Sequence, residues 1–178
     1  MPRSLDRLLS ITLGVALVAA CHPGTSNGPA PTSASATLRD ASGATVGTVT
    51  LSQTNTGVLL SGSVSGIGTG THGIHVHAVG RCDPPFQSAG GHFNPDGKQH
   101  GFRNPAGPHA GDMTNISIPP GGTLTFDLLL PHASLGGSHG MLDADGASVV
   151  IHASADDYTT DPAGNSGARI ACGVITAR

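Results

Sequence analysis

From about residue 36 onward, apolar and polar residues alternate with period two, and small or turn-forming residues interrupt the alternation repeatedly. Such alternation fits extended strands, whose successive side chains point to opposite faces. It predicts strands over Ala44–Gln53 around Val46 and Val49, and over Gly57–Ser65 around Leu59 and Val64. Further strands are predicted over His72–Val79, Leu124–Leu130, Ser148–His152 and Arg169–Thr176. Short strands punctuated by Gly, Asn and Asp imply an antiparallel sandwich or barrel. Between Val79 and Met113 the alternation stops and Gly, Pro, His, Asn and Asp take over. An irregular connection this long inside a compact domain marks either a misread element or a functional loop.

Composition narrows the class. With Gly 27, Pro 13, no Trp, no Glu and charged residues at 11%, a helical bundle is a poor fit to the 178 residues. A mean hydropathy of +0.03 fits neither a membrane bundle nor an acidic disordered tail. One domain is the natural count. Net charge is −3, Lys98 is the only lysine, and no basic run exists to neutralise a phosphate backbone. Nucleic acid is therefore not expected as a partner.

The N-terminus reads as an address. Arg3 and Arg7 precede the apolar run Leu8–Ala20, which is too short for a permanent membrane span and ends in small residues. Val18-Ala19-Ala20-Cys21 resembles the bacterial lipoprotein lipobox, with Val18 where Leu is usual. The expected division is a signal peptide over 1–20, a lipidated Cys21 heading a flexible tether over 21–35, and a folded domain over 36–178. Cleavage leaves six basic and ten acidic residues, a net −4. The protein is expected in the periplasm or cell envelope, touching membrane only through its lipid. His22 stands where an aspartate retains many lipoproteins at the inner membrane, so an outer-membrane anchor is expected if the host has that membrane. Lipid on Cys21 leaves Cys82 and Cys172 to pair, which suits an oxidising compartment.

Ten histidines are about three times the average for this length. His75 and His77, two apart in an apolar strand, project to one face. His152, at the end of a later strand, can add a third imidazole. His92, His100, His109 and Asp112 lie in the long loop. Such nitrogen-rich sets suit copper, zinc or nickel, and three imidazoles with a carboxylate in a closed shell suit zinc. His22, His132 and His139 read as scattered surface histidines.

His72-Gly73-Ile74-His75-Val76-His77, Gly91-His92-Phe93-Asn94-Pro95, Gly111-Asp112 and the run Gly164–Ile175 resemble copper/zinc superoxide dismutases, from about Ala36 to the C-terminus. The resemblance implies an all-β, eight-stranded Greek-key barrel with a long metal-binding loop, an architecture grouped with immunoglobulin-like sandwiches. It implies one copper on His75, His77, His92 and His152, and one zinc on His92, His100, His109 and Asp112, with His92 bridging. It further implies that Asp156 links His75 to His100, that His72 braces the barrel without binding metal, and that Arg169 guides the anion. The Cys82–Cys172 bridge would pin the long loop to the strand carrying Arg169.

The implied reaction is dismutation of superoxide to oxygen and hydrogen peroxide by a redox-cycling copper, with His92 delivering a proton. The alternatives are a non-catalytic periplasmic copper/zinc-binding or delivery protein on the same fold and an envelope interaction module. Both complete ligand sets together with Arg169 favour the enzyme. Many family members carry lysines and glutamates before the arginine, whereas Ala153–Ala168 holds Asp156, Asp157 and Asp161 and no base. Arg81, Lys98 and Arg103 are the candidates to restore long-range attraction. No extended apolar strand face selects between monomer and homodimer.

Overall fold

The computed structural model describes residues 31–137 and 139–178. The expected signal segment 1–20, the expected acylation site Cys21 and residues 21–30 of the expected tether lie outside the described residues. The strands are β1 (Ser33–Asp40), β2 (Thr45–Thr54), β3 (Gly57–Ser65), β4 (Gly70–His72), β5 (Ile74–His77), β6 (Ile116–Ile118), β7 (Thr123–Pro131), β8 (Ser148–His152), β9 (Arg169–Val174) and β10 (Thr176–Ala177). One turn of 3-10 helix, Gln87–Ala89, interrupts the long loop.

The main sheet runs β5-β8-β9-β1-β2-β3-β7, with β10 added beside β1, and β4 pairs β6 in a separate ribbon. Its pairings are antiparallel. The eight-stranded sheet curls into a half-barrel whose non-consecutive neighbours, β5 beside β8, β9 beside β1 and β3 beside β7, are Greek-key crossovers. The ribbon lies against β7 through β6.

Alternation explains what faces inward. Ala34, Ala36 and Leu38 of β1, Val46, Val49 and Leu51 of β2, and Val58, Leu60 and Val64 of β3 are all buried. The three-residue step from Val46 to Val49 breaks the period because Leu38 pairs Gly47 while Arg39 pairs Thr45, leaving Val46 as the extra residue of a bulge. The core is built from aliphatic side chains, with Phe93 at its margin; Phe86 packs in a smaller cluster with Val150 and Cys172.

The observed strands differ from the expected ones, and the strand expected over Arg169–Thr176 divides into β9 and β10, the latter paired with β1. β1 was not among the predicted strands, and it begins at Ser33, so the sheet starts before the expected boundary at residue 36. Its inward face is written in alanine at Ala34 and Ala36, which carries a weak hydrophobic signal. The single strand expected over His72–Val79 divides at Gly73: His72 pairs Ile116 in the ribbon while Ile74 pairs Ile151 in the main sheet. β6, three residues long, is too short for periodicity to mark. The Cys82–Cys172 disulfide is formed, with a Cα–Cα distance of 5.6 Å, and ties the long loop to β9.

Candidate metal centre

β5 is an edge strand, and the long loop covers its open edge. Val76 N–H donates to Gly111 O (2.9 Å), Phe93 N–H donates to Val76 O (2.8 Å), and Ala78 N–H donates to Gly91 O (2.9 Å). Isolated bridges set His75 opposite Asp112 and His77 opposite His92. On the other side, β8 pairs His75 with Val150. Backbone bonds thus fix the register of the loop residues against the strand residues. Gly111 is required at this seam, because a Cβ there would overlap Val76 O. All four residues of β5 are buried, so its histidines and its aliphatic residues both face packed surroundings.

His75, His77, His92 and His152 place one ligand-type atom each within 4.8 Å of the others. Their hydrogen bonds decide which nitrogen points inward. His77 Nδ1–H donates to Gly90 O (3.0 Å) and His152 Nδ1–H to Gly167 O (3.3 Å), leaving the two Nε2 atoms facing each other at 3.4 Å. His75 Nε2–H donates to Asp156 Oδ2 (2.7 Å), so its Nδ1 is the free atom. His75 Nδ1 and His92 Nε2 are buried without a hydrogen-bond partner. Two orphaned lone pairs buried among imidazoles are costly unless they meet a cation. This group therefore fits a metal that accepts four nitrogens.

The second group centres on Asp112. Its Oδ2 accepts from Gly101 N–H (2.9 Å) and His109 N–H (3.0 Å), which turns Oδ1 toward three rings. His92 Nδ1, His100 Nδ1 and His109 Nδ1 lie 2.8, 3.0 and 3.3 Å from Oδ1. His109 Nδ1 also faces His92 Nδ1 at 3.4 Å. Three imidazole nitrogens around one carboxylate oxygen make the N3O donor set of a closed zinc site. His75 also lies within 4.8 Å of His92, His100 and Asp112. Its Nε2 is engaged by Asp156, however, and its Nδ1 belongs with the first group. His92 is the ring common to both groups, Nδ1 toward one and Nε2 toward the other.

Asp156 joins the groups from behind: Oδ2 accepts from His75 Nε2–H, and Oδ1 accepts from His100 Nε2–H at 3.0 Å. The ring of His72 spans the carbonyls of His152 (2.8 Å) and Gly68 (3.0 Å), bracing the end of β8. At that end β8 bulges against β9, with Ile151 opposite Ala171 and His152 opposite Arg169. Arg169 Nη1–H and Nη2–H donate to Phe86 O and Gly90 O, both at 2.7 Å. These carbonyls belong to the segment that the disulfide anchors. Gly90 O thus receives both Arg169 and His77.

Electrostatics separates the two groups. Burial, reinforced for His77 by His92 and for His152 by His75, holds His77 near pKa 2 and His152 near 3. His92 is held at about 4, burial outweighing the opposing hydrogen bond to Asp112. His100 goes the other way: burial disfavours its charge, but hydrogen bonds to Asp112 and Asp156 prevail and raise it to about 9. Burial raises both carboxylates, yet hydrogen bonds from His100 and its neighbours leave Asp112 and Asp156 well below the usual range. His77, His92 and His152 of the first group therefore offer proton-free nitrogens at neutral pH. In the second group a charged His100 is ion-paired with Asp112, and behind it with Asp156.

Every residue expected in the two sets lies within one of these groups. Sequence reasoning did not find Asn115, Tyr158, Phe86 or Gly90, whose contacts with Asp156, Arg169 and one another run through backbone atoms and so leave no residue-type signal.

The chain matches the family model described as copper/zinc superoxide dismutase over residues 45–175. It is 46% identical over 137 residues to superoxide dismutase [Cu-Zn] 1 of Aquifex aeolicus (strain VF5), covering 75% of this chain and 81% of that one. Among solved structures, it resembles a SOD-like protein from Bacillus subtilis with a TM-score of 0.76 and 39% identity, over 80% of this chain and 97% of the other. A Cu/Zn superoxide dismutase from Brucella abortus gives 0.67 and 29%, over 81% and 99%.

Proposed function

The chain belongs to the copper/zinc superoxide dismutase family, and from that membership we propose how its own residues divide the work. The reaction is dismutation of superoxide to oxygen and hydrogen peroxide, with copper and zinc as cofactors. His75 Nδ1, His77 Nε2, His92 Nε2 and His152 Nε2 hold copper; His92 Nδ1, His100 Nδ1, His109 Nδ1 and Asp112 Oδ1 hold zinc. The observation that carries this assignment is the pair of orphaned nitrogens, His75 Nδ1 and His92 Nε2, buried where the two groups meet.

Copper supplies the alternating one-electron exchange with superoxide, while zinc, which has no redox chemistry, supplies a fixed positive charge. His92 can hold a proton on Nε2 and pass it to the reduced product while Nδ1 stays engaged on the Asp112 side. Arg169 has five N–H donors, of which two are held by Phe86 O and Gly90 O. The rest are available to a small anion, and the fixed pair keeps the guanidinium from swinging away. Its charge is positioned before substrate arrives, so binding needs little reorganisation.

Outside the described residues, the reading extends to residues 1–20 as a signal peptide and Cys21 as a lipidated N-terminus, which makes the protein an envelope lipoprotein on a short tether. Replacing Cys21 with Ser is expected to abolish lipid labelling and release the protein from membranes; labelling that persists refutes it. The central test pairs metal analysis of purified protein with a superoxide-consumption assay. One copper and one zinc per chain with fast turnover is the expected result, and full metal content without turnover refutes the assignment of catalytic roles.

A further inference from the structure

Asp156 bonds the outward nitrogen of one ligand from each group, His75 and His100, and its orientation is set by contacts that metal binding does not explain. Asn115 grips its backbone from both sides. The side-chain Nδ2–H of Asn115 donates to Asp156 O (2.9 Å), and Asp156 N–H donates to Asn115 Oδ1 (2.8 Å). Asn115 lies three residues beyond Asp112 and immediately before β6, so the grip is anchored beside the β4–β6 ribbon.

Tyr158 completes the arrangement. Its N–H donates to Asp156 Oδ1 (2.6 Å), and its hydroxyl oxygen accepts from Asn115 N–H (2.8 Å). To do both it adopts a left-handed backbone, φ 63°, a conformation that costs a side-chain-bearing residue energy and persists only when its surroundings enforce it. Tyr158 O accepts from Arg103 N–H (2.9 Å), the Arg103 guanidinium lies 5.7 Å from the Tyr158 ring centroid, and the Phe102 ring is 5.9 Å away. The segment just after His100 is thereby tied to the residue that orients Asp156. On the remaining side Gly164 closes in: a Cβ there would overlap Asp156 Oδ1 and come within 2.7 Å of His100 Nε2.

We propose that Asn115 and Tyr158 are positioning residues that lock Asp156 across the two metal sites, so that the zinc loop and the copper ligand His75 are held in register by one clamp. This rests on the ligand assignment above. Neither residue touches metal or substrate. Each acts through Asp156, which donates nothing to either ion and only orients His75 and His100. Partners of this kind contribute to metal affinity because a ligand held in place loses less freedom on binding.

The test is a double-mutant cycle in the full-length, metal-loaded protein. Asn115→Ala, Asp156→Ala and the double variant are compared for zinc affinity by chelator competition and for the Cu(II) paramagnetic resonance spectrum. Asn115→Ala is expected to weaken zinc roughly 10–100-fold and to change the Cu(II) spectrum through His75. In the Asp156→Ala background the same substitution is expected to change neither, because the backbone that Asn115 grips then carries no carboxylate to orient. Tyr158→Phe, which removes only the hydroxyl acceptor, is expected to act in the same direction by roughly 5-fold. It carries the same cycle if Asn115→Ala fails to fold. Equal effects in both backgrounds, or lost thermal stability with zinc affinity and the copper spectrum unchanged, overturn the clamp. A wild-type protein that fails to take up copper and zinc refutes the ligand assignment instead.

Discussion

Removing the disulfide by Cys82→Ser with Cys172→Ser tests the link between chain connectivity and the anion-guiding arginine. The bridge spans 90 residues of sequence, for which the loop-closure relation gives about 4–5 kcal/mol of stability. A domain of this size loses roughly 2–4 °C of Tm per kcal/mol, so the double serine variant should melt about 8–20 °C lower. The measurement belongs in metal-free protein, since bound metal stabilises the native state by mass action and would mask the difference. A second effect is local. Cys82 anchors the segment carrying Phe86 O and Gly90 O, which receive both of Arg169's terminal nitrogens. With the anchor gone, the arginine loses its fixed acceptors, so kcat/KM should fall in protein remetallated to full copper content. A Tm change under about 3 °C would refute the entropic argument. Unchanged kcat/KM at full copper occupancy would refute the claim that the bridge positions Arg169.

Arg169→Ala should lower kcat/KM roughly 10–100-fold with copper content intact, and Arg169→Lys should recover only part, because an ammonium cannot grip two carbonyls and still present a planar set of donors. His152→Ala should abolish turnover and weaken copper while zinc content is retained, read by metal analysis; loss of both metals together would place His152 in a shared scaffold instead. Metal-free protein should be most stable near pH 6–7 in urea melts. His77, His152 and His92 are depressed to about 2, 3 and 4, so the unfolded chain binds more protons below pH 6.5 and stability falls as pH drops. His100 is raised to about 9, so its contribution, complete below pH 6.5, is lost as pH rises through 9. Stability that climbs steadily from pH 6.5 to 9 contradicts this. The rate should fall only weakly with added salt, because Arg81 is paired with Asp83 (2.5 Å) and Arg103 lies over Tyr158; a steep fall would show strong long-range steering.

Much of this was legible in the sequence because side-chain chemistry carried it. His75 and His77 are two apart, and two apart on a strand means one face. The loop ligands stood out as histidines in a stretch with no periodicity. What escaped was written in residues whose type says little. Ala34 and Ala36 fill the inward face of β1, yet alanine alternation barely registers as hydrophobic. Gly73 divides one expected strand because His72 serves the ribbon and Ile74 the main sheet. Asn115 bonds the backbone of Asp156, Tyr158 reaches the Asp156 carboxylate through its own backbone N–H, and Gly90 and Phe86 offer Arg169 only their carbonyls. Contacts made through the backbone are specified by fold, so no motif announces them.

Ligand residues in a long loop invite the view that the metal alone organises it, but the bonds along β5 show a second organiser. An edge strand exposes unpaired N–H and C=O groups that must be covered, and here the loop covers them at the level of His75 and His77. Val76 exchanges backbone bonds with Gly111 and Phe93, the neighbours of Asp112 and His92. Each bond that satisfies the sheet edge also brings a loop ligand opposite a strand ligand, so sheet closure and ligand convergence are one event. The bulge at His152 acts likewise on the other side of β5, turning the end of β8 where His152 faces Arg169. Gly111 is then the most exposed weakness of the design: its Cβ would overlap Val76 O, parting the loop from the strand and separating both ligand groups at once.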